Sequence, residues 1–181
     1  HMFYGVAGVS REDDRRFTMG ILSAALGGGM SSRLFQEIRE KRGLAYSVYA
    51  YAQQFAGSGL LGFYAGCHPT KAVEVVEIIR EVLNDVAENG MSHEEIERAK
   101  GAVKGSLVLS QEDSGSRMSH IGKSEIVYGE VMSFDEILKR ISAVTPEDLR
   151  KVAGEILVQR PTLALVGPYK DAGKFEKILG A

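Results

Sequence analysis

One cysteine, Cys67, is all that 181 residues contain, so no intrachain disulfide can form, and a secreted disulfide scaffold or a cysteine-rich zinc module is excluded. Such usage fits a reducing, cytoplasmic compartment. Long apolar runs are also missing. None approaches the roughly 18 uninterrupted residues of a membrane span, and no charged-then-apolar leader opens the chain. Nor is there an excess of charge of one sign. Lys+Arg 22 against Asp+Glu 24 leaves −2, which argues against binding nucleic acid by bulk electrostatics. No repeat, low-complexity tract or linker divides the chain. His1-Met2 reads as the remnant of a cleaved expression tag, so residues 3–181 are expected to be one domain cut from a longer protein.

What is present, 44% hydrophobic and 25% charged residues, is ordinary globular composition. A chain of this length can bury about 70% of its unfolded surface, enough for one core. Phe3 to Ala7 reads as a strand, and Ser10 to Asp13 as the cap of a helix carrying Phe17, Ile21, Leu22, Ala25 and Leu26. Gly27-Gly28-Gly29 stops that helix, and the tight stop-and-start predicts positive φ at one or more of the three. Ser31 or Ser32 then caps a second helix through Leu34, Phe35 and Ile38, ending before Gly43. Ala45–Phe55 and Leu60–Cys67 form a hairpin around Ala56-Gly57-Ser58-Gly59. Pro69 opens a long helix with Val75, Val76, Ile79, Val82, Leu83 and Val86 on one face. Caps at Ser92, Ser133 and Thr145 start three more helices, Pro161 to Gly167 is a last strand, and a short helix closes the chain. This order predicts an α+β fold: a two-layer sandwich, mainly antiparallel sheet, with helices packed on one face.

Familiar catalytic signatures are incomplete. His93-Glu94-Glu95-Ile96-Glu97 begins like a zinc-binding H-E-x-x-H helix, but Glu97 stands where the second histidine belongs. His68 and His120 have no acid or cysteine at ligand spacing, so no metal site is expected in this chain. The glycine run carries Ser32 in place of the third glycine of a dinucleotide fingerprint and follows a helix, not a strand. Arg117 replaces the first glycine of a P-loop ending in Gly122-Lys123-Ser124, and Glu112-Asp113-Ser114-Gly115 reads as an interhelical turn. In the segment Leu26 to Ala50, Arg33 and Lys41 each have Glu37 four residues away, whereas Arg39 and Arg42 have no carboxylate at helical spacing. Tyr46 follows Arg39 by seven residues, across the Gly43 corner, so the two could converge. A solvated arginine and a packing tyrosine account for the same residues.

That segment is also where the chain becomes recognisable. A helix ending in LGGG, then MSSRLFQEIREKRGLAYSVYAYAQQFAGSGLLGFYAGC, PTKAVEVVEIIREVL, SHEEIERAKGAVKGSL, VTPEDLRKVAGEIL and PTLALVGP resemble the C-terminal half of insulinase/pitrilysin-type zinc metallopeptidases, in the shorter branch with mitochondrial processing peptidase. The resemblance runs from Gly8 to about Tyr169. It implies a clamshell metalloendopeptidase for unfolded peptides, whose zinc ligands, an inverted H-x-x-E-H and a later Glu, lie on an N-terminal partner half. Arg39 and Tyr46 would complete the substrate site, and the short run Gly27, Gly28 and Gly29 matches a loop linked with peptide binding. The cofactor implied is zinc in the parent protein, none in this fragment. Partners would be the zinc-binding half, a peptide and a second full-length subunit, with no nucleic acid or membrane. The alternative is a noncatalytic scaffold or partner subunit of the same family.

Overall fold

In the computed structural model, which describes residues 1–180, four strands carry no Asp, Glu, Lys or Arg at all: β1 (Met2–Gly8), β2 (Ala45–Gln54), β3 (Gly59–Cys67) and β4 (Thr162–Leu165). Apolar β-formers therefore meet without charge burial, and they pair as one antiparallel sheet in the order β2-β3-β1-β4. Alternation assigns Met2, Tyr4 and Val6, and Leu61, Phe63 and Ala65, to the covered face, where all six are buried. Helices occupy that face only, as the two-layer α+β reading predicts.

The first helix, α1 (Arg16–Gly27), lies against β2. Its start corrects the expected Ser10 cap: no side chain caps it, and Asp13 instead accepts from the Arg15 backbone and guanidinium. An Arg–carboxylate pair is a charge-assisted bond and outcompetes a neutral cap for the same acid. Pro69–Lys71 makes a single 3₁₀ turn before α2 (Ala72–Asn89), which buries Val75, Val76, Ile79, Leu83 and Val86 and stops at Gly90 with φ 76°. Capping boxes of Ser92 with Glu95 and Thr145 with Asp148 open α3 (His93–Ser110) and α6 (Pro146–Ile156). Between them, Asp113 caps α4 (Ser114–Tyr128), so Glu112 and Asp113 lie in the expected interhelical turn while Ser114 and Gly115 already belong to the first turn of α4, and Ser133 caps α5 (Phe134–Ala143). The last helix is α7 (Gly173–Leu179).

The glycine run departs from expectation. None of Gly27, Gly28 and Gly29 has positive φ, and Gly28 sits at −82°. Gly27 is required for a different reason, close approach. A Cβ built there would fall 2.6 Å from Ala50 Cβ and 2.8 Å from the Tyr49 carbonyl carbon, so its hydrogen is what lets α1 touch the backbone of β2.

Candidate functional site

The second helix of the sequence reading is replaced by a wider coil. After one α turn at Arg33-Leu34, Phe35–Glu40 is a π-helix, with the Lys41 amide donating to the Gln36 carbonyl at 2.9 Å. Winding by i→i+5 moves the neighbours that charges meet. Arg42, which lacks a carboxylate at α spacing, lies five residues from Glu37 and pairs with it, while Lys41 keeps its expected pair with the same acid. Arg42 first and Lys41 second hold the Glu37 carboxyl below its ordinary range.

Arg33 does not pair with Glu37, contrary to the spacing argument. Its guanidinium forks onto Glu95 with two bonds of 2.7 Å and reaches Asp85 at 2.7 Å, tying the π segment to α3 and α2. Both Arg33 and Glu95 are about four-fifths covered. The Glu95 carboxyl is pushed down to about 2, chiefly by Arg33 and then by the Ser92 amide and hydroxyl. Because the folded value lies below the unfolded one, the clasp stabilises the protein fully above about pH 4.5 and is lost as pH falls through about 2. It contributes on the order of 2–3 kcal/mol. Denaturant titrations of wild type and Glu95→Gln should therefore converge between those two pH values; a gap of constant size across that range would sink the assignment.

At the far end of the π segment, Gly43 takes φ 61°, the left-handed conformation that turns the chain into β2. Arg39 and Tyr46 meet across this corner. The Arg39 guanidinium donates one bond, Nη1 to the Tyr46 carbonyl at 2.8 Å, and lies 4.9 Å above the buried Phe35 ring. Among the described residues no carboxylate pairs with it, and the guanidinium's remaining N–H donors are left for a ligand. The register slips between Ala45 and Ser47, so Tyr46 is the extra residue of a β-bulge. Bulges re-aim side chains, and this one leaves Tyr46 79% exposed. A cleft of about 600 Å³ opens beside it, walled by Gly43, Leu44, Gly66, Cys67 and His68. Burial pushes the Cys67 thiol up, which keeps it protonated and a poor nucleophile.

Gly28 and Gly29 line a small recess with Ser31, Ser32, Glu95 and Ala99 that shares no residue with the Tyr46 cleft. A larger cleft of about 700 Å³ is walled by Arg33, Glu37, Asp85 and Glu95, whose charges are already engaged with one another or with Lys41 and Arg42. The corner thus brings a cation without a carboxylate partner and an exposed phenol together. Neither the bulge nor the Arg39–Tyr46 bond has a sequence signal beyond the seven-residue spacing.

Zinc does not fit the residues present. His1 bonds Tyr64, His68 bonds Thr70, His120 bonds the Met132 carbonyl and His93 is solvated at the start of α3, and among the described residues no three His, Cys, Asp or Glu side chains converge.

Comparison with known proteins identifies the family and the fold. Residues 1–103 match the family described as peptidase M16 inactive domain. A Streptomyces coelicolor protein described as an uncharacterized zinc protease is 55% identical over 171 residues, 94% of this chain and 37% of that protein. A Mycobacterium tuberculosis protein of the same description is 44% identical over 169 residues, 93% of this chain and 39% of that protein. The chain therefore spans about two-fifths of the length of these curated relatives. Among solved structures, a protease from Helicobacter pylori superposes with a TM-score of 0.79 at 20% identity, covering 90% of this chain and 40% of that one. A peptidase M16 inactive domain from Pseudomonas fluorescens gives 0.76 at 20% identity, covering 85% and 36%. At that identity they speak for the shared fold alone. With the matched residues, more than half of the chain, covering β1, β2, β3 and the Arg39–Tyr46 corner, the chain belongs to the peptidase M16 inactive-domain family.

Proposed function

We propose that this chain is the substrate-binding half of a clamshell zinc metalloendopeptidase that cleaves unfolded peptides. Hydrolysis belongs to an N-terminal zinc-bearing half outside this chain. The observation that carries the reading is the corner itself: an arginine without a carboxylate partner and a tyrosine turned outward by a bulge, side by side on an uncharged sheet. The relatives' description as zinc proteases, and the share of their length this chain leaves uncovered, support it. In this reading Arg39 holds the peptide through its carbonyl oxygens, using the donors its bond to Tyr46 leaves over. Tyr46 donates its hydroxyl proton to the oxygen that gains charge as the peptide carbonyl is attacked. Gly27 serves by setting where β2 lies, and Gly28 and Gly29 line a recess of their own that a peptide could also reach.

The test is Arg39→Ala in the full-length protein. A higher KM, a lower kcat or both are expected for an unstructured peptide, with stability within about 0.5 kcal/mol because the side chain is exposed. Wild-type kcat/KM in that variant would make Arg39 part of the scaffold, and no zinc-dependent cleavage by the full-length protein would place the chain among the noncatalytic partners of the family.

A further inference from the structure

The face of the sheet turned away from the helices is paved with aromatic rings. Phe3, Tyr51, Tyr49 and Tyr64 form an unbroken series, with successive ring centres 5.8, 6.2 and 4.7 Å apart and the last pair stacked. They come from three different strands, and a glycine makes their meeting possible. Gly62, on β3, pairs with Gly5 on one side and Tyr51 on the other. A Cβ at Gly62 would lie 2.6 Å from the Phe3 ring and 3.1 Å from the Tyr51 ring. The Phe3 and Tyr51 rings therefore lie over bare backbone, and Tyr49 and Tyr64 stack against each other beside them, making a floor. Tyr46 adjoins its far end: burial first, then repulsion from the neighbouring Tyr49 and Tyr46 phenols, push the Tyr64 hydroxyl up. The strands beneath supply no ionised side chain, so the floor has no charge of its own, and cations stand at its margin: Arg39, and the amino terminus of His1, whose ring bonds the Tyr64 hydroxyl.

Resting on the proposed peptide-binding role, we infer that this floor seats neutral aromatic side chains of an extended peptide whose backbone is held at the Arg39–Tyr46 corner. A partly exposed ring accepts another ring by offset or edge-on stacking, and the cations at the margin oppose the attraction such rings have for a charged visitor. A cationic side chain would meet Arg39 at the margin and no carboxylate to offset its charge. The floor thus sets sequence preference, while the corner sets position.

The protein contains no tryptophan, so the indole of an added peptide reports binding without background. Short peptides identical except for Trp, Ser or Arg at one central position are titrated against the chain, the Trp form by its own emission and all three by calorimetry. The Trp peptide should bind best, with its emission shifted to the blue. Tyr49→Thr and Tyr51→Thr, which keep a β-forming side chain, should each weaken it by roughly threefold to tenfold, and Tyr49→Phe, which keeps the ring, should not. Equal binding of the Trp and Ser peptides, tighter binding of the Arg peptide, or affinity untouched by both threonine variants would overturn the inference. Cleavage separates the two readings. A full-length enzyme that depends on Arg39 and Tyr46 yet shows no aromatic preference loses the floor and keeps the corner; an aromatic preference with no such dependence loses the corner.

Discussion

Tyr46→Phe should lower kcat of the full-length protease by about 10²-fold toward an unstructured peptide while KM changes far less. The substitution removes one oxygen from a side chain that is 79% exposed, so neither packing nor the bulge is disturbed. In the proposed role, what disappears is a donor used only once charge develops on the carbonyl oxygen, and an interaction made only in the transition state is lost from kcat. Thermal unfolding of the variant should match wild type within about 0.5 kcal/mol, which separates chemistry from stability. A fall confined to KM would make Tyr46 a contact for bound peptide; unchanged kcat and KM would make it part of the scaffold.

Gly27→Ala should damage the fold strongly for a single added methyl. The added carbon has to fit where Ala50 Cβ stands 2.6 Å away and the Tyr49 carbonyl carbon 2.8 Å away, and backbone cannot rotate aside as a side-chain tip can. Either α1 lifts from β2 or β2 bends. Both movements open the contact on which the buried Ile21, Leu22 and Leu26 depend. Overpacking of this kind costs about 3 kcal/mol, somewhat offset by alanine's better helix propensity. For a domain of this size the melting temperature should drop by roughly 6–12 °C. A drop under about 2 °C would show that the helix and strand are less closely seated than described. Because β2 also carries Tyr46 at its other end, Gly27→Ala should lower activity along with stability.

Local chemistry made much of this architecture readable in the sequence. The hairpin around Gly57, the apolar face of α2 and the boxes at Ser92 and Thr145 depend on residues only a few positions apart, and each stands where its spacing put it. The misses share a cause as well. Arg33 lies 62 residues from Glu95, and no spacing rule reaches that far. The Arg42–Glu37 pair is invisible while the coil is read as α, because only i→i+5 winding brings the two together. Asp13 looked like part of a cap, yet two residues on stood a guanidinium that binds it better. For the glycine run the residue type was read correctly and its reason was not: the chain needed thinness at Gly27, and only contact with β2, which the sequence does not display, reveals that. At the site, seven-residue spacing placed Arg39 near Tyr46, but a bulge of one residue is what aims the phenol outward.

The strand order has a further consequence, for how the chain reaches this shape. Strand β1 lies inside the sheet, with β3 about sixty residues away on one side and β4 about one hundred and sixty away on the other, as the pairs Met2 with Ala65 and Met2 with Leu165 show. Closing loops so different in length makes assembly stepwise: β1, β2 and β3 can combine early, whereas the second edge of β1 stays bare until β4 arrives. During synthesis that edge offers unpaired N–H and C=O groups on an uncharged, apolar strand, the condition under which nascent chains join one another edge to edge. A ribosome that pauses before Thr162 would hold the protein in that state.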